Sequence, residues 1–170
     1  MANLTLAELN DFAPEQFEAA MAGIFERSPW IGAAVSGLRP FASLAELHGA
    51  MVAAVAAAPR QAQLALLRAH PELAGREARS GALTADSAVE QRGAGLDRLT
   101  REQLDVLERG NAAYRARFGF PFIICVRNHD RDGIFAVLDA RLGNRPDAEF
   151  AAALRETFEI ARLRLESLLV

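Results

Sequence analysis

Apolar residues return every three or four positions along most of this 170-residue chain. No stretch alternates apolar with polar at the two-residue period of a half-buried strand. Leu44, Leu47, Met51 and Val55 make one helical stripe, and Leu104, Leu107, Tyr114 and Phe118 a second. Phe150, Leu154, Phe158, Ala161 and Leu165 make a third. Such stripes are buried only by packing against other helices, so the pattern predicts an all-α fold. Helix starts are marked as well. Thr5 with Glu8, Ser43 with Glu46, and Thr100 with Gln103 have the spacing of a capping box, in which side chains cover orphan backbone N–H groups. Pro14, Pro29, Pro59 and Pro146 stand where a first helical residue would, a position that needs no backbone donor. The expectation is a single compact helical bundle domain over residues 1–170, with roughly eight helices and short connections. A polar, glycine-containing stretch at 74–86 is the exception. The segment Phe118-Gly119-Phe120-Pro121-Phe122-Ile123-Ile124-Cys125-Val126 has the β-branched and aromatic content of a buried strand. It lacks a partner strand, so it reads as an extended entry followed by a buried helix start. Residues 127–130 then lead into another helix through about Leu142.

Composition narrows the function. With 51% hydrophobic residues but only 7% aromatic, aliphatic side chains and alanine must fill the core. A net charge of −3 opposes binding to a phosphate backbone, so no nucleic-acid partner is expected. All 19 basic residues are arginine, and the absence of lysine removes Schiff-base chemistry. The single cysteine, Cys125, excludes an intramolecular disulfide framework and a cysteine-rich zinc site. Its apolar surroundings read as a buried, reduced thiol and fit a reducing compartment. No secretory signal pattern and no run of ~18 apolar residues occurs. The expectation is a soluble, cytoplasmic protein with no membrane partner.

The candidate chemistry centres on Ala69-His70-Pro71-Glu72-Leu73-Ala74-Gly75. Pro71 biases His70 away from helical backbone and ends the preceding helix there. An imidazole at such a junction, with an ordinary pKa near ~6.5, can give or take a proton at neutral pH. Downstream, Ser87, Glu90 and Gln91 stand at i, i+3 and i+4, on one face of a helix starting near Thr84 or Ser87. Taken alone, His70 also fits a helix end, and Ser87-x-x-Glu90 also fits a capping box. His48 lies on an apolar face and reads as a satisfied core histidine; His129 sits in a charged, solvated loop. No set of His, Cys, Asp and Glu has metal-ligand spacing, so no metal is expected. There is no phosphate-binding loop before a helix and no nucleophile elbow. In the last helical pattern, Arg162 and Arg164 flank the apolar stripe, and periodicity does not choose which of them turns inward.

Together these residues resemble the 2-oxo-4-hydroxy-4-carboxy-5-ureidoimidazoline (OHCU) decarboxylase family of uric acid degradation. The resemblance rests on His70-Pro71-Glu72-Leu73-Ala74-Gly75, on Ser87-x-x-Glu90-Gln91 with Ala94-Gly95-Leu96 behind it, on Phe118-Gly119-Phe120-Pro121-Phe122-Ile123, and on Leu163-Arg164-Leu165. It spans essentially the whole chain. It implies an all-helical homodimer without a cofactor that converts OHCU, a small-molecule substrate, to (S)-allantoin with loss of CO2. It further implies His70 as proton donor, Glu90 as substrate-orienting carboxylate and Arg164, rather than Arg162, as the partner of an anion. Pro71, Ser87, Gln91 and the backbone of Phe122, Ile123, Ile124, Cys125 and Val126 are the implied substrate contacts. The competing expectations are a non-catalytic helical binding module, or a lyase or hydrolase acting on a related ureide.

Overall fold

Ten helices and no strand form among residues 4–170, which the computed structural model describes. They are α1 (Leu6–Asp11), α2 (Pro14–Met21), α3 (Trp30–Ser36), α4 (Leu44–Ala57), α5 (Arg60–Arg68), α6 (Arg76–Ser80), α7 (Ala85–Gly93), α8 (Arg101–Phe118), α9 (Arg131–Leu142) and α10 (Pro146–Leu168). The all-α expectation holds. Thr5 and Thr100 form complete capping boxes with Glu8 and Gln103. At α4 the box is split: Ser43 accepts from the Glu46 N–H, while Glu46 turns back to the Ala42 N–H at 2.6 Å. Pro14 and Pro146 occupy first helical positions, as expected. Pro29 and Pro59 sit one residue earlier, as caps, where their carbonyls accept the first helical bonds from Ala33 and Gln63. The missing N–H is equally harmless at both places. The 74–86 stretch holds a short helix, α6, that its polar composition concealed.

The chain divides into two compact units, one of residues up to Ala69 with Phe158–Val170 and the other of His70–Thr157. In the first, α3 packs on both α2 and α4. Its core is mostly aliphatic, with Leu9, Ile31, Val35, Leu47, Met51 and Leu165 fully shielded, joined by the buried rings of Phe17, Phe25 and Phe41. A side chain at Gly32 would place its Cβ 2.8 Å from that of Met21, so glycine sets the approach of α3 to α2. His48 is half-buried and satisfied, with Nε2 at 2.8 Å from the Phe158 carbonyl.

In the second unit α8 packs against α9, and a Cβ at Gly110 would lie 2.6 Å from Leu138 Cδ2. The aromatic segment after α8 stays extended through Cys125. It then makes a single 3-10 turn, Val126–Asn128, rather than a longer helix start. A buried extended segment without a partner strand must satisfy its backbone by other means. Here side chains supply them: Arg141 Nη1 donates to the Ile123 carbonyl at 2.7 Å, and the Cys125 N–H donates to Glu156 Oε2 at 2.7 Å. Arg141 is itself held by Glu149, which also accepts from the Tyr114 hydroxyl and from Asn144 Nδ2 at 2.7 Å. Burial first, and then the Glu149 carboxylate, push the Tyr114 phenol far above its ordinary range, so it remains a donor.

Candidate active site

His70 follows the C-terminal end of α5, whose last turn is closed by the backbone N–H of Ala69. The imidazole is only 8% exposed, so it belongs to the interior rather than to a solvated helix end. The loop after it is fastened at three points. Arg115 Nε donates to Glu72 Oε1 at 2.8 Å, Asn111 Nδ2 to the Leu73 carbonyl at 3.0 Å, and the Ala74 N–H to Gln91 Oε1 at 2.9 Å. Glu72 is therefore committed to Arg115 and anchors the loop. Gly75 closes the turn with its N–H on the Glu72 carbonyl, and a Cβ there would stand 2.7 Å from Glu72 Cβ.

Helix α7 is capped by Thr84, whose hydroxyl accepts from the Ser87 N–H. Ser87 is thus already inside the helix, and the capping-box reading of Ser87 with Glu90 does not describe this site. Ser87 and Gln91 are buried and Glu90 is half-buried, so the three-residue face turns toward the protein. α7 packs against the 3-10 turn that begins at Val126. The His70 loop, the Ser87–Gln91 face and the end of the Phe122–Val126 segment are thereby joined within one unit. Phe122 to Val126 are all buried. The Phe122 ring lies in the core, edge-on to Tyr114 with 5.3 Å between centroids and 4.8 Å from the Arg141 guanidinium carbon. What Phe122 offers a ligand is therefore its main chain. Cys125 is a free, buried thiol. His129 is half-buried where the 3-10 turn ends, not freely solvated.

Arg164 belongs to the first unit. Its Nη1 and Nη2 are each 3.2 Å from Glu26 Oε2, and Nη1 is 3.1 Å from the Gly23 carbonyl. Both partners of this ion pair are buried. Arg162 instead lies at the surface and grips Glu159 through Nε at 2.9 Å and Nη2 at 2.6 Å, with Glu166 on its other side. Those carboxylates, Glu159 foremost, raise its guanidinium further above its ordinary range. The inward arginine is Arg164, a distinction that helical periodicity did not make.

Sequence reasoning missed the Tyr114–Arg141–Glu149 cluster and the role of Asn111. The signal was present as polar residues on otherwise apolar helix faces, at Asn111 between Leu107 and Tyr114, and at Glu149 beside Phe150. A cavity of about 410 Å3 lies in the same unit, lined by Leu83, Ala88, Leu96 and Leu104 and touching Ala74 and Gln91. Neither His70 nor Glu90 lines it, so it backs the loop rather than forming the reaction chamber.

Comparison with known proteins identifies the family. Residues 10–166 match the protein-family model described as OHCU decarboxylase. A 2-oxo-4-hydroxy-4-carboxy-5-ureidoimidazoline decarboxylase of Haloferax volcanii is 42% identical over 97% of this chain and 96% of its own length. The enzyme of that name in Mus musculus is 40% identical over 98% of this chain and 93% of its own. Among solved structures, (S)-allantoin synthase superimposes with a TM-score of 0.79 at 29% identity, covering 98% of this chain and 54% of that one.

Proposed function

Because the chain belongs to the OHCU decarboxylase family, we infer that it is a lyase of uric acid degradation that removes CO2 from OHCU and releases (S)-allantoin. The observation that carries the assignment of residues is the fastening of the His70 loop to α7, through the Ala74 to Gln91 bond. Ser87 and Glu90 ride on the same helix.

The substrate supplies its own electron sink. Its carboxylated carbon adjoins the ring C=N, so breaking the bond to CO2 sends the electron pair into that imine. The nitrogen takes a proton, and a ring enol remains. Two proton movements then complete the reaction. The ureido-bearing carbon receives a proton on one face, and the hydroxyl gives one up as it becomes a carbonyl. His70 is the donor to carbon, because a buried imidazole held by a fastened loop can address a single face. Glu90 accepts from the substrate hydroxyl or ring N–H and takes the proton that leaves. Ser87 and the Gln91 amide N–H groups bind the ureido and ring polar atoms, since the Gln91 oxygen is already used by Ala74. Pro71 and the main chain of Phe122, Ile123, Ile124, Cys125 and Val126 line the ring in a buried, water-poor setting that strengthens these contacts. Arg164 is assigned to anionic charge on the strength of the family pattern alone. A cytoplasmic homodimer completes the reading.

Freshly generated OHCU incubated with the protein tests it, followed by circular dichroism. (S)-Allantoin should appear in excess, faster than spontaneous decay gives the racemate. Racemic product from active protein defeats single-face protonation, binding without turnover indicates a helical module, and turnover of allantoin alone indicates a different ureide enzyme. Glu90→Gln should keep the melting temperature and lose turnover by about 10²-fold or more. A variant that stays fully active removes Glu90 from the mechanism.

A further inference from the structure

We infer that Asn111 is a positioning residue for His70, acting through the peptide that joins Leu73 to Ala74; this rests on the decarboxylase reading above. The carbonyl of that peptide accepts from Asn111 Nδ2 at 3.0 Å, and its N–H donates to Gln91 Oε1 at 2.9 Å. One peptide plane is gripped at both ends by carboxamides from two different helices. It needs the grip, because Ala74 has φ +48°, in the left-handed region that residues other than glycine rarely adopt. Arg115, one helical turn beyond Asn111 on α8, holds Glu72 from the same face. His70 stands three residues before the gripped peptide, with Pro71 fixing one of the few torsions between them.

Packing alone does not account for an asparagine here. Its side chain is buried, and Oδ1 has no hydrogen-bond partner among the described residues. A leucine would remove that unmatched oxygen but would also take the donor from the buried Leu73 carbonyl. What asparagine adds is the donor that holds the carbonyl end of the Leu73–Ala74 peptide. A local choice that works against burial and in favour of a fixed loop is the mark of a functional requirement.

Asn111→Leu tests this in the full chain. The expected result is a fall in kcat of at least about tenfold with KM changed less than about threefold, because a misplaced proton donor harms the reacting geometry more than binding. The enantiomeric excess of allantoin should fall, and the pH profile should shift. The His70 ring-proton NMR signal, assigned by its loss in His70→Asn, should titrate differently. Asn111→Asp, of the same shape but without the amide donor, carries the same readouts if the leucine variant does not fold. Unchanged kcat, stereochemistry and His70 titration in a folded variant overturn the inference. If the unaltered chain fails to turn over OHCU, the decarboxylase reading fails instead, and the His70 signal alone then decides whether Asn111 controls the loop.

Discussion

Replacing His70 with asparagine is expected to lower kcat for OHCU decarboxylation by about 10²- to 10⁴-fold, the range a positioned general acid contributes, while the melting temperature hardly moves. The structure explains why the two readouts separate. α5 is closed by the Ala69 backbone, and the loop is tied down by Asn111, Arg115 and Gln91 rather than by the imidazole alone. Asparagine preserves a polar group of similar reach but cannot carry a proton at neutral pH. Whatever allantoin the variant releases should approach the racemate, since the carbon would then be protonated by water from either face. Equal losses of stability and turnover would mean that His70 holds the fold and that the chemistry belongs to another group.

Glu149→Ala is expected to destabilise the protein by about 3–5 kcal/mol, as does removing one partner of a buried ion pair. For a protein of this size that lowers the melting temperature by about 6–20 °C. Glu149 has no solvent exposure, yet its carboxylate accepts from Arg141, Tyr114 and Asn144. Its loss strands a guanidinium in the core. The paired substitution Arg141→Met with Glu149→Leu should recover part of the stability, because an apolar pair avoids the desolvation of both charges but leaves the buried Ile123 carbonyl and Tyr114 hydroxyl without partners. It should not recover turnover. Arg141 also fixes the Ile123 carbonyl at 2.7 Å, and without it the Phe122–Val126 main chain loses its anchor. A paired variant that is both stable and fully active would separate this cluster from the site.

These two residues differ in how far they could be read from the amino acids alone. His70 announced itself because Pro71 breaks the helix beside it, and Ser87, Glu90 and Gln91 because their spacing is helical. Glu149 sits three residues into a helix after Pro146, where an acidic residue ordinarily faces solvent and complements the helix dipole. Nothing local distinguishes it from such a residue. Asn111 likewise resembles an interruption of an apolar stripe.

Helix starts at Thr5, Ser43 and Thr100, the all-α class and the shared face of Ser87, Glu90 and Gln91 on α7 were determined by the sequence itself. Periodicity and capping act over three or four residues, so their energetics are complete within a short stretch of chain. Which arginine turns inward, what satisfies the extended Phe122–Cys125 segment, and what grips the loop after His70 were decided only by the tertiary structure. Those contacts join Arg164 to Glu26, Arg141 to Ile123 and Asn111 to Leu73. A buried charge or amide is stable only where packing delivers its distant partner, and no local pattern encodes that delivery.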